Sequence, residues 1–117
     1  MKTFFKIFAL VFAILFAWAA YLQNNDPDSF LWYLIYGSAA LACISFIFHK
    51  LHFAIALVLA IVFLIGAIYN WPAQFEGVSI GSGEIENIER GRESLGLLIN
   101  AVVMAILAWR INLQRKL

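Results

Sequence analysis

Residues 30–48 read FLWYLIYGSAALACISFIF, nineteen positions without a charge. At 1.5 Å per residue, a helix of that length reaches about 28 Å, close to the roughly 30 Å hydrocarbon thickness of a bilayer. Similar runs lie on either side. Residues 4–22 are apolar apart from Lys6 near one end, and residues 51–69 carry no Asp, Glu, Lys or Arg. Trp71-Pro72 closes the latter run, because proline cannot continue the helical hydrogen-bond ladder. A fourth run, residues 94–109, covers only about 24 Å and must borrow length from Arg92-Glu93 or from residues 111–113. Composition agrees: the chain is 64% hydrophobic and 13% charged, against about 45–50% and about 25% in a soluble domain. Mean hydropathy is +0.88. The expected fold is all-α, a polytopic membrane four-helix bundle with short loops. It forms one domain over residues 1–117, with helices at about 4–22, 30–48, 51–70 and 92–111 and outer loops at 23–29 and 71–91.

The charges alternate from connection to connection. Lys2, Lys6, Lys50, Arg110, Arg115 and Lys116 fall at the N-terminus, in the second connection and at the C-terminus; only Arg90 and Arg92 fall in the third. All seven carboxylates lie in the first and third connections. Lys and Arg retained on the cytoplasmic side set orientation, so both termini are expected in the cytoplasm of a multi-pass protein of the cell (inner or plasma) membrane. Lys2 and Lys6 before an apolar run, with Ala17-Trp18-Ala19 behind it, also resemble a secretory signal. The run continues to Leu22, long enough to span, and is therefore read as a retained helix. Seven of the eight Trp and Tyr residues lie near the outer ends, leaving Trp109 at the inner one. An interfacial aromatic belt explains this pattern; a one-sided belt also suits an aromatic-walled cup facing outward.

Two polar segments stand out. In the first connection, Gln23-Asn24-Asn25-Asp26-Pro27-Asp28-Ser29, Asp26 before Pro27 fits an N-cap and Asp28 fits the first helical turn. The other reading leaves one carboxylate free for a cation. In the second segment, Glu84 to Glu93 directly precede the fourth run. If the helix starts here as an outer extension, Glu86, Glu89, Glu93, Gly96, Asn100 and Met104 share an arc of about 80° at roughly 100° per residue. The solvated reading is a salt-bridged helix end, with Glu86–Arg90 and Glu89–Arg92 offsetting the Glu89–Glu93 repulsion. The functional reading is a polar face leading inward to Asn100, the one amide inside an apolar run.

Other chemistry is thinly supported. His49 and His52 have helical i, i+3 spacing but no carboxylate or thiol near them in sequence, so they read as turn residues rather than metal ligands. Ser38, Ala42 and Ser45 read as a small-residue packing stripe. Cys43 is the single cysteine and has no internal disulfide partner. The sequence shows no phosphate loop and no nucleophile–base signature, and the formal charge of +1 does not indicate a nucleic-acid partner. No metal, cofactor or catalytic residue is expected, and the leading reading is non-enzymatic; the alternative is an enzyme with Glu93 as acid or base, which no nucleophile or metal set in the sequence supports.

Gln23-x-Asn25-Asp26-Pro27-Asp28, followed by Trp32, Tyr36 and Trp71, then Glu89-x-Gly91-Arg92-Glu93-x-x-Gly96-Leu97, resembles the transmembrane protein 220 family over nearly the whole chain. The resemblance implies a small four-helix membrane protein and carries no established activity. Arg90 breaks the acidic run before Gly91.

The leading functional reading is an outward-facing site for a small polar or cationic ligand. It would combine Asp26, Asp28, Glu89, Arg92, Glu93 and Asn100 with walls from Trp18, Trp32, Tyr36 and Trp71, since carboxylates and aromatic faces suit cations. Arg92 is expected to bridge to Asp26 or Asp28. One alternative is an accessory subunit of a larger membrane-protein complex. Another is a transporter acting as a homo-oligomer. Small four-helix multidrug exporters are similar in size but rely on an acid in their first helix, and residues 4–22 hold none.

Overall fold

The structure, a computed structural model, describes residues 2–25, 29–71 and 85–116. Among these residues it has four α-helices and no strand: α1 (Lys2–Leu22), α2 (Ser29–Ile47), α3 (Phe53–Tyr69) and α4 (Ile85–Lys116). A 3-10 turn, Gln23–Asn25, follows α1. Helices α1 and α2 pair as one hairpin, and α3 and α4 as another. Helix α2 joins the two by packing on α4, while α1 touches α4 only lightly. Ring contacts fix the register. Phe5 of α1 and Trp109 of α4 lie 6.1 Å apart, and Phe16 of α1 and Tyr36 of α2 lie 6.3 Å apart. The start of α1, the α2–α3 turn and the end of α4 therefore share a basic end, and the start of α4 lies at the opposite, acidic end.

The interior is built from small residues at helical spacing. Helix α1 buries Phe5, Ala9, Ala13 and Phe16; α3 buries Ala56, Ala60, Phe63 and Ala67; α4 buries Leu97, Ala101, Met104 and Ala108. Steps of three and four residues place each set on one face. Alanine stripes let backbones approach closely, which drives helix association where lipid competes for apolar contact. At Gly66 of α3 the approach to α4 is close, since a Cβ there would stand 3.2 Å from Leu97 Cδ1. The exterior is apolar as well: Leu10, Ile14, Leu41, Val62 and Ile65 are all exposed. Such a surface is unsuited to water and suits lipid. Three helices hold stretches long and apolar enough to cross a membrane: Thr3–Leu22, Ser29–Ile47 and Arg90–Leu113. Helix α3 has 17 residues, about 25 Å, and is the short member of the bundle.

The structure differs from the sequence expectation in three places. Helix α4 runs unbroken for 32 residues, about 48 Å, and so borrows length at both ends of its apolar run. Residues 85–91, read as part of a loop, are its first turns, and they form the anticipated helical extension. The α2–α3 turn is more sharply punctuated than expected. The His49 N–H donates to the Phe46 carbonyl at 3.0 Å and the Lys50 N–H to the Ser45 carbonyl at 2.8 Å. That is the Schellman pattern, with His49 in the left-handed region at φ 60° where glycine is usual. It ends α2 at Ile47 and leaves His52 extended as the N-cap of α3. Finally, α2 buries Trp32, Ala39, Ala42, Cys43 and Phe46. Of the stripe Ser38, Ala42 and Ser45, only Ala42 is buried, because the α1- and α4-facing sides lie one position away.

Candidate polar site on the seam between the second and fourth helices

Tyr36 of α2 and Gly96 of α4 meet closely. A Cβ at Gly96 would overlap the Tyr36 hydroxyl, so the missing side chain is what admits the phenol. The Tyr36 ring is half-buried, 6.2 Å from the Trp32 ring one turn away and 6.3 Å from Phe16. Trp32 is buried, and its indole Nε1 has no hydrogen-bond partner among the described residues. Glu93, half-buried and nearly one turn before Gly96, acts electrostatically on the Tyr36 phenol.

One turn deeper, Asn100 is fully buried. Its Nδ2 donates to the Gly96 carbonyl at 2.9 Å, which leaves Oδ1 without a partner among the described residues. Met104, another turn along the same face, is also fully buried. The side-chain face running from Glu93 through Gly96 and Asn100 to Met104 thus turns inward, away from lipid. Ser94, fully buried with an unpartnered Oγ, lies about 100° around α4 from Glu93. Sequence reasoning passed over Ser94. Its signal was register, since Ser94, Leu97, Ala101, Met104 and Ala108 form a continuous three-four repeat of buried positions.

The other candidates are more dispersed. Asp26 and Asp28 lie outside the described residues, as does the Glu89 side chain. Arg92 is exposed although its neighbour Glu93 is half-buried, because adjacent helical residues point about 100° apart. Membrane depth therefore does not desolvate the two together. Trp71, Arg90, Arg92 and Glu93 each engage a neighbour. Trp71 is exposed, and Trp18 is exposed and stacks on Tyr21 at 5.9 Å between ring centres. Of the aromatic candidates, Tyr36 meets Gly96, and Trp32 lies beside Tyr36. His49 and His52 are exposed in the α2–α3 turn. Among the described residues, no three His, Cys, Asp or Glu residues cluster as metal ligands.

The arrangement presents an indole donor, a phenol, a carboxylate and an amide carbonyl at successive levels of one seam. Fold and seam together define an integral membrane protein of two helical hairpins, lipid-facing outside and polar along the α2–α4 contact. The family model for "Transmembrane family 220, helix" matches residues 15–109, and the chain belongs to that family. No curated protein and no solved structure matches it.

Proposed function

We propose that the chain is a non-enzymatic membrane protein that holds a small polar or cationic ligand on the α2–α4 seam at its acidic end. The observation that carries this reading is the unpartnered Asn100 Oδ1, buried on the face that leads to Glu93. An unmet buried acceptor costs about 1–3 kcal/mol, and Trp32 Nε1 adds an unmet donor nearer the acidic end. A ligand with a cationic or N–H group meets Asn100 and Glu93, and the Trp32 and Tyr36 faces favour positive charge. A bound water is the competing occupant.

The two occupants separate on one experiment. Small molecules co-purifying with the chain are identified after denaturation, for wild type and for Glu93→Gln and Asn100→Leu. A polar or cationic compound retained by wild type and lost from both variants supports the reading. Wild type without any such compound, together with an Asn100→Leu variant at least as stable, overturns it and leaves Asn100 as a hydrated structural amide. A stoichiometric protein partner in the same preparation would instead favour the accessory-subunit reading.

The same proposal places the acidic end outside the cell and both termini in the cytoplasm, on the segregation of Lys and Arg. In intact cells an impermeant thiol reagent should label Ser82→Cys and spare Lys2→Cys and Lys116→Cys. Labelling at either terminus but not at position 82 reverses the orientation.

A further inference from the structure

Away from the α2–α4 seam, the light contact between α1 and α4 leaves a groove of about 450 Å³. Phe8 and Phe12 of α1 line it on one side, and Leu98, Val102, Val103 and Ile106 of α4 on the other. Every lining residue is apolar, and Val102 on its rim is exposed. From Leu95 to Ile106 the lining covers about 16 Å along α4, about half of the roughly 30 Å bilayer core, around the middle of the Arg90–Leu113 stretch.

One turn beyond Ile106, the last lining residue, α4 carries an unusual residue. Arg110 lies four residues beyond Ile106 and seven beyond Val103, on the same face of α4. Phe5 lies three residues before Phe8 on α1, and the Arg110 guanidinium carbon stands over its ring at 5.1 Å. Arg110 is only 7% exposed, and its Nε has no hydrogen-bond partner among the described residues. A buried guanidinium ordinarily sits against a carboxylate. None is near in sequence: all seven Asp and Glu residues lie between positions 26 and 93, in the segments at the acidic end. Lys6, exposed and next to Phe5 in sequence, adds positive charge at the same end. The basic end thus carries a buried cation with no Asp or Glu near it in sequence, next to a groove that is apolar along its length.

We infer that the α1–α4 groove is a binding site for one anionic phospholipid, its phosphate at Arg110 and one acyl chain lying along Phe8, Phe12, Val103 and Ile106. One molecule suits both features, because a phospholipid carries its charge at the membrane surface and its chain into the core. Guanidinium is suited to phosphate by its planar, forked donors. The site is separate from the seam that holds Asn100, and stands or falls independently of it.

The test uses the full chain in detergent, with phosphatidylglycerol and phosphatidylcholine of identical acyl chains at equal concentration, and native mass spectrometry as the readout. The expected result is one retained phosphatidylglycerol per chain, preferred over phosphatidylcholine by about tenfold. Arg110→Gln is expected to bring the two lipids near parity, and Arg110→Lys to keep part of the preference. Val102→Phe, at an exposed rim position outside the core, is expected to weaken both lipids together while preserving the fold. Equal retention of the two lipids by wild type overturns the proposal. Displacement of phosphatidylglycerol by inorganic phosphate also overturns it, in favour of a free-anion site. A dimer that retains no lipid overturns it too, by assigning the groove to a second copy of the chain.

Discussion

Among the polar residues that helix α4 buries, Asn100 and Arg110 lie ten positions, about 15 Å, apart, and the bundle treats them differently. Asn100 is neutral and folds its amide N–H onto its own helix, so that one polar atom remains unmet. Arg110 is a cation that leans on the Phe5 ring and has no carboxylate partner within its own end of the chain. Leaving a neutral acceptor unmet costs about 1–3 kcal/mol, whereas desolvating an ion costs several. The neutral group accordingly occupies the middle of the Arg90–Leu113 stretch, and the cation lies three residues from its end. Depth sets which kind of unmet polarity one helix can carry.

The largest expected effect comes from erasing that difference. Asn100→Asp would place a carboxylate at mid-span with no cation facing it among the described residues. Reversible unfolding in mixed micelles at pH 7 should show a loss of about 3–5 kcal/mol, the cost of an uncompensated buried charge. Asn100→Leu should stay within about 1 kcal/mol, since an apolar group of similar volume removes the unmet acceptor. Equal losses from the two variants would break the distinction between neutral and charged burial.

A second contrast sets the tight α2–α4 seam against the looser α1–α4 groove. Gly96→Ala drives a methyl into the Tyr36 hydroxyl and should cost about 1–3 kcal/mol. Tyr36→Phe in the same chain should recover most of it. Val102→Phe, an enlargement on the groove rim, should stay within about 0.5 kcal/mol. A Gly96→Ala variant as stable as wild type would show that the seam is not closed by the phenol.

The two ends also differ in backbone strain. His49 holds a left-handed conformation at the basic end, so His49→Gly should raise stability by about 1 kcal/mol in the same unfolding measurement. Any decrease would mean that the imidazole contributes more than its backbone conformation costs. The smallest effect is expected at the acidic end, where Arg92 is exposed. Double-mutant cycles of Arg92→Ala with Asp26→Ala and with Asp28→Ala should return coupling of about 0–1 kcal/mol, as for a solvated pair. Coupling near zero in both would remove the bridge between the first connection and α4.

The helices were legible because each is a run of apolar residues about one bilayer thick, and nothing in an apolar solvent competes with that pattern. Asn100 was legible for a related reason: a single amide in such a run has few faces to choose from. Arg92 and Glu93 were harder, because membrane depth alone treats neighbours alike, and only the helical rotation separates an exposed residue from a half-buried one. Ser94 and Arg110 were less visible still. Ser94 fits within an apolar repeat without disturbing it, and Arg110 resembles any cation flanking a span. The burial of each depends on which helix packs against it, and the pairing of α1 with α2 rather than with α4 is a property of the assembled bundle.

That pairing also bears on how the protein is made and loosened. Each hairpin satisfies itself mainly through near neighbours in the chain, so each half can insert and close before the other is complete. Joining the halves then rests on α2 meeting α4, with little help from α1. The inter-hairpin joint is therefore the least extensive part of the packing. Because α1 adds little to that joint, the bundle can open along one side like a book whose spine is the α2–α4 contact.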